Sequence, residues 1–194
     1  MAFRRGFKTE AERLALELRS ELDIDIVDPF DPVHLAKHLR IPVLSFSDVQ
    51  GADPQAVRHL TSGPGRTAVS AVTIYVDKYR RVILYNEAHA STRLVSTLGH
   101  ELSHVVLEHE PEGAPVDGRR DWDSRQEEEA TWLAGCLLIP RDAALGAARQ
   151  GLTDAAVSAR FGTSLALAKM RMNGTGARQQ VDNEISARRR SWRH

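Results

Sequence analysis

The helical pattern from Leu94 to Leu107 constrains this chain more than any other stretch. Leu94, Val95, Leu98 and Leu102 recur at helical spacing, and Val105, Val106 and Leu107 follow. The pattern predicts a largely buried helix from about Ser91 to Glu108. Two imidazoles sit inside it, at His100 and His104. Side chains four residues apart lie one above the other on a helix, so both rings leave from one face. Polar groups at that depth need partners. Backbone or carboxylate acceptors would make them ordinary core histidines. A further ligand would let them grip one metal ion from the same side.

Glu101 and the spacing favour the metal. In His100-Glu101-Leu102-Ser103-His104 the carboxylate points to a neighbouring angle, where it can take a proton from an attacking water. This is the H-E-x-x-H arrangement of zinc peptidases. A catalytic Zn²⁺ takes three protein ligands and keeps one position open, so one more is needed. A second helix is predicted from Ser124 to Ile139, with Ala130, Ala134, Leu137 and Leu138 on one stripe. Glu127 shares that stripe and is expected to face inward, which makes it the first choice for third ligand, with Glu128 second. Glu128 groups with Trp132 and Gly135, and Glu129 with Trp132, Leu133 and Cys136. Acidic residues in a first helical turn are favoured by the helix dipole without any metal. That accounts for Glu128 and Glu129 better than for Glu127.

Several segments, taken in order, resemble the ImmA/IrrE-type metallopeptidases. They are Asp28-Pro29-Phe30-Asp31-Pro32 with Leu35 to Val43, Val82 to Asn86, and Leu98 to His104. The Glu127-to-Pro140 block resembles the family's E-x-E-A-x-x-F-A-x-x-L-L-x-P, and Ala156 to Thr175 its tail. The Glu127 block discriminates, because H-E-x-x-H is shared by unrelated peptidases. Departures are small: Trp132-Leu133 stands in for the usual x-Phe pair, and Gly99 for the usual Ala. The resemblance implies a zincin-like peptidase core holding one Zn²⁺ on His100, His104 and Glu127, with Glu101 as general base. It also implies a protein substrate, typically a helix-turn-helix repressor cut at one site, in stress response or mobile-element regulation.

The remaining sequence sets the expected architecture as α+β, a small sheet with packed helices. Helices are expected at Thr9–Leu22, from Asp31 as N-cap to Leu39, and in a short stretch at Asp53–His59. Strand-like runs lie at Ile41–Phe46, Ala68–Val76 and Arg81–Tyr85, the first an edge strand because Pro42 cannot donate to a ladder. Glu110–Ser124, rich in Pro, Gly and charge, is expected to be a mobile loop at the edge of the site. Nine acidic residues between Glu108 and Glu129, against Arg119, Arg120 and Arg125, predict a negative rim suited to a basic substrate. Three divisions are expected: a zincin-like domain at 1–150, a helix-turn-helix-like extension at 151–177 packed on it, and a flexible basic tail at 178–194. The helix pair around Gly162 offers only Arg160, Lys169 and Arg171 within 153–172, so it is expected to be a structural cap rather than a DNA reader.

Candidates for an oxyanion stabiliser are Tyr75, Tyr85, His59 and His89. His34, His38, His109 and His194 show no ligand partner in sequence, and Cys136 is expected to be a small core residue. Formal net charge is zero, which provides no global field toward nucleic acid or anionic lipid. No apolar stretch reaches the ~18 residues of a membrane span, and the N-terminus lacks a signal-peptide core, so the expected location is cytosolic. The rival functions are a DNA-binding regulator with a structural zinc and a non-catalytic module that sequesters a repressor. Glu101 argues against both, since a structural zinc has no use for a base beside it.

Overall fold

In a computed structural model the described residues are 3–49, 51, 54–62, 69–76, 80–109, 112–116, 119–121 and 123–191, with backbone alone at 56–57, 59–60, 112–116 and 119–121. The elements run α1 (Phe7–Glu21), α2 (Pro32–His38), β1 (Val43–Ser45), α3 (Pro54–Thr61), β2 (Ala71–Tyr75), β3 (Arg81–Tyr85) and α4 (Ser91–Val106). Then follow β4 (Glu112–Val116), β5 (Arg119–Asp121), α5 (Ser124–Leu138), α6 (Arg141–Arg149), α7 (Asp154–Phe161), α8 (Leu165–Gly174) and α9 (Ala177–Ser191). The fold is α+β, as the sequence led us to expect. No helix among the described residues is long and apolar enough to cross a membrane.

Helix α5 occupies the centre. Leu133, Cys136, Leu137 and Leu138 are fully buried, and α1, α4 and α8 all pack on it. Ala11 and Ala15 of α1 are fully buried, and side chains that small let two helix axes approach closely. The C-terminus of α5 is held by two buried arginines. Arg19 of α1 donates to the carbonyl of Leu137 at 2.6 Å, and Arg171 of α8 donates to that of Ile139 at 2.9 Å. These carbonyls end a helix with no partners of their own, so each guanidinium satisfies an orphan acceptor. Arg171 also pairs with Glu12 at 2.6 Å. Gly135 lets its stem pass, since a Cβ there would lie 2.5 Å from the Arg171 Cδ. Burial pulls Arg19 down to about 10, which still leaves it charged at neutral pH.

The sheet order is β1-β3-β2, with β1 parallel and β2 antiparallel to β3. Pro42 precedes the edge strand β1, and buried Ile83 occupies the middle of β3. Strand β2 packs beside α4 and turns Thr73, buried between the partly exposed Val72 and exposed Ile74, toward that helix. Asp31 caps α2 by accepting from the Val33 N–H at 2.9 Å, with Pro32 at the first helical position.

Two segments differ from expectation. The stretch expected as a loop between Glu110 and Ser124 contains an antiparallel pair, β4 with β5. Residues 110–111, 117–118 and 122 of it lie outside the described residues, as do residues 77–79 between the second and third expected strands. The tail expected to be flexible is helical from Ala177 to Ser191. It packs on α6, where Arg149 pairs with Glu184 at 2.9 Å and Arg141 donates to Gln180 at 3.0 Å.

Candidate metal centre

Helices α4 and α5 bring three donor atoms together. The Nε2 atoms of His100 and His104 lie 3.1 Å apart. Glu127 reaches them with Oε2 at 3.2 Å from His100 and Oε1 at 3.4 Å from His104. Three ligands at ~2.0–2.2 Å in tetrahedral directions around one zinc would stand about 3.3 Å apart. The donor set and its spacing therefore fit a metal ion. His104 is 1% exposed, and Glu127 closes the open side at 42%. The carboxylate at the imidazoles is Glu127; Glu128 lines a neighbouring cavity with Phe3, Lys8 and Trp132. Hydrogen bonds from His100 and His104 hold the Glu127 carboxyl well below the usual carboxylate range.

Each imidazole also has a partner on its far nitrogen. His100 Nδ1 lies 3.3 Å from Thr131 Oγ1, one turn beyond Glu127 on the same face of α5. His104 Nδ1 lies 3.0 Å from His109 Nδ1. The end of α4 brings His109 back. Glu108 takes a left-handed φ of 53°, and the His109 N–H then donates to the His104 carbonyl at 3.0 Å. This is a helix-ending turn that glycine usually occupies. His109 Nε2 in turn lies 3.4 Å from Glu129 Oε2, with the two side chains 7% and 9% exposed. Burial pushes His109 below its ordinary value, reinforced by its neighbour His104.

Burial along the start of α5 differs from expectation. Glu129, expected to be accounted for by the helix dipole, lies past the first turn and is buried against His109, while Glu127, expected to face inward, is half-exposed at the mouth of the site. Two signals in the sequence pointed to the missed pair. Glu129 stands four residues before buried Leu133, and His109 five after His104. A carboxylate on a buried stripe requires a partner.

Glu101 accepts a hydrogen bond from Thr73 Oγ1 at 2.6 Å, and Thr73 is 2% exposed. The strand next to the helix thus fixes the carboxylate that the sequence singles out as base. Tyr75 donates to the His109 carbonyl at 3.3 Å. The His89 ring lies 3.4 Å from Ser70 Oγ, and Ser70 borders the same cavity as His100. Tyr85 packs against the core, and the side chain of His59 lies outside the described residues. That cavity, about 410 Å³, is lined by Thr97, Ala134, Leu167 and Met170, with Arg93 at its rim.

The IrrE N-terminal-like domain, a peptidase family, matches residues 57–173. The chain belongs to this family. A metallopeptidase-type function follows from membership, and the family implies a metal. No curated protein and no solved structure matches the chain. The family's span takes in both α4 and α5, and so the whole donor triangle.

Other expected site features are placed as follows. His38 pairs with Glu21 at 3.3 Å on the surface, away from the triangle. Burial pushes the Cys136 thiol up to about 12, which suits a core residue rather than a thiolate ligand. Arg171, counted among the cations of the helix pair around Gly162, is wholly buried against Glu12 and faces no ligand.

Proposed function

We propose that the chain is a zinc-dependent endopeptidase that cuts a partner protein, a helix-turn-helix transcriptional repressor, in stress response or mobile-element regulation. One observation carries the reading: the Nε2 atoms of His100 and His104 lie 3.1 Å apart and face the two oxygens of the Glu127 carboxylate at 3.2 and 3.4 Å, with Glu101 one residue from His100 on the same helix. His100, His104 and Glu127 would hold the metal. When bound, zinc acts as a Lewis acid that polarises the scissile carbonyl and lowers the pKa of water.

The protein's own groups do the rest. Glu101 accepts the proton of the attacking water and delivers it to the nitrogen of the leaving amine. Thr73 orients that carboxylate from a buried position on the neighbouring strand. The cavity beside His100 gives a substrate side chain a largely apolar seat.

The charge of the Glu108–Glu129 stretch supports a basic substrate. Of the nine acidic residues from Glu108 to Glu129, Glu127 and Glu129 are engaged inside. The remaining seven still outnumber the three arginines of that stretch. A protein that binds DNA presents the opposite charge. The DNA-binding alternative loses ground with Arg171, which leaves Arg160 and Lys169 as the cations within 153–172.

The test is co-incubation with repressors encoded beside the gene. Wild type is expected to cut one of them at a single site. Glu101→Gln, with equal zinc content and an unchanged circular dichroism spectrum, is expected to cut none. The amide keeps the shape but cannot accept the proton. Cutting by Glu101→Gln at near wild-type rate would rule out the mechanism.

A further inference from the structure

We propose that His109 and Glu129 are positioning residues that set the proton on His104 so that its Nε2 lone pair faces the metal. The inference rests on the zinc reading above and goes beyond it.

The two Nδ1 atoms of His104 and His109, 3.0 Å apart, are too close to be both bare or both protonated when neutral. One of them carries a proton and the other accepts it. The far side of His109 decides which. Its Nε2 lies 3.4 Å from the Glu129 carboxylate, which accepts and cannot donate when ionised. The proton of a neutral His109 therefore sits on Nε2, pointing at Glu129. That leaves the His109 Nδ1 as acceptor, so His104 must donate from Nδ1. The Nε2 of His104 is then bare and directed at the junction with His100 and Glu127.

Burial gives the chain its force. His104, His109 and Glu129 are 1%, 7% and 7% exposed, so water cannot replace either partner. The backbone holds the relay in place. The left-handed Glu108 and the bond from His109 N–H to the His104 carbonyl bring the ring back, and Tyr75 donates to the His109 carbonyl. Arg4, with Nε 3.9 Å from Glu129 Oε1, adds positive charge behind the carboxylate. A carboxylate beyond a ligand histidine orients the ring and raises its basicity. Here a second imidazole carries that influence from α5 to α4. Glu127 and Glu129, on one turn of α5, thus reach the same ion by two routes.

The experiment titrates full-length protein with Zn²⁺ against a chromophoric chelator and records the melting temperature of the metal-free form. His109→Phe fills the space without a nitrogen acceptor. It is expected to weaken zinc binding about 10–100-fold. His109→Gln offers an amide oxygen to His104 and an amide N–H to Glu129, and is expected to restore much of that loss. Zinc affinity equal across wild type, Phe and Gln, with only the metal-free melting temperature changing, would make the pair merely structural and overturn the proposal. Should the Phe variant not fold, Glu129→Gln takes its place, with a several-fold loss expected and wild-type affinity overturning. If wild type binds no zinc and His104→Ala changes nothing, the metal reading itself fails, an outcome distinct from a flat variant series.

Discussion

Arg171→Leu tests how the helix bearing Glu127 is held. The wild-type side chain is wholly buried, with Nε on the Ile139 carbonyl at 2.9 Å and Nη2 on Glu12 at 2.6 Å. Leucine leaves the carbonyl without a partner, at a cost of about 1–3 kcal/mol. It also takes the cation from Glu12, which keeps the Arg141 N–H at 3.2 Å, and breaking a buried ion pair costs about 3–5 kcal/mol. Glu12 keeps 20% of its side chain exposed, so water recovers part of that loss. The two effects overlap, and a total near 3–4 kcal/mol is expected. For a chain of this size each kcal/mol moves the melting temperature by about 2–4 °C, so a fall of roughly 10 °C should be seen. Urea melts should show a lower midpoint with an unchanged slope. Glu12→Leu with Arg171→Leu should recover part of the loss, because an apolar pair can replace a buried ion pair. Arg160→Ala, on the exposed face, should stay within about 0.5 kcal/mol. A loss under about 1 kcal/mol for Arg171→Leu would refute the pairing and reopen Arg171 as a surface cation.

Two further outcomes are expected. Thr73→Val keeps the strand and the volume but removes the donor to Glu101. It should lower kcat about tenfold, a part of what a general base contributes, while zinc content stays at wild type. An unchanged kcat would show that the hydroxyl does not orient the base. Cleavage of a cognate repressor should weaken as salt rises, beyond any effect on a small neutral peptide. Equal salt dependence of the two would leave the acidic rim without a recognition role.

Much of the fold was legible because burial follows period. The stripe of Leu98 and Leu102 on α4 and that of Ala130, Ala134, Leu137 and Leu138 on α5 both face the core. Asp31 with Pro32 announced the start of α2, and Pro42 the edge position of β1. The pairing of β4 with β5 was not legible, since Glu112-Gly113-Ala114-Pro115-Val116 has neither alternation nor a helical stripe. Helix α9 was missed for a different reason. Its apolar face is thin, with Ile185 44% exposed, and it is held by Arg149–Glu184 and Arg178–Asp154, pairs joined across elements. Such pairing is tertiary and leaves no local pattern.

The site divides the same way. The spacing of His100 and His104 and the stripe position of Glu127 were enough to bring three residues to one point. Thr73, Thr131, His109 and Glu129 were not found, because each reaches the site from a strand, a helix face or a turn whose approach depends on packing. Glu129 shows the limit of the dipole argument. Helix α5 starts at Ser124, so Glu129 lies past its first turn, beside buried Ala130 and Leu133, and is itself 7% exposed.

The most direct measurement is anomalous diffraction at the zinc edge from crystals grown with one equivalent of Zn²⁺. The account expects a single peak between the Nε2 atoms of His100 and His104 and the Glu127 carboxylate, at about 2.0–2.2 Å from each. The peak should persist in Glu101→Gln and vanish in His104→Ala. A peak held by Glu128 in place of Glu127, a peak elsewhere in the molecule, or none with zinc in excess would contradict it.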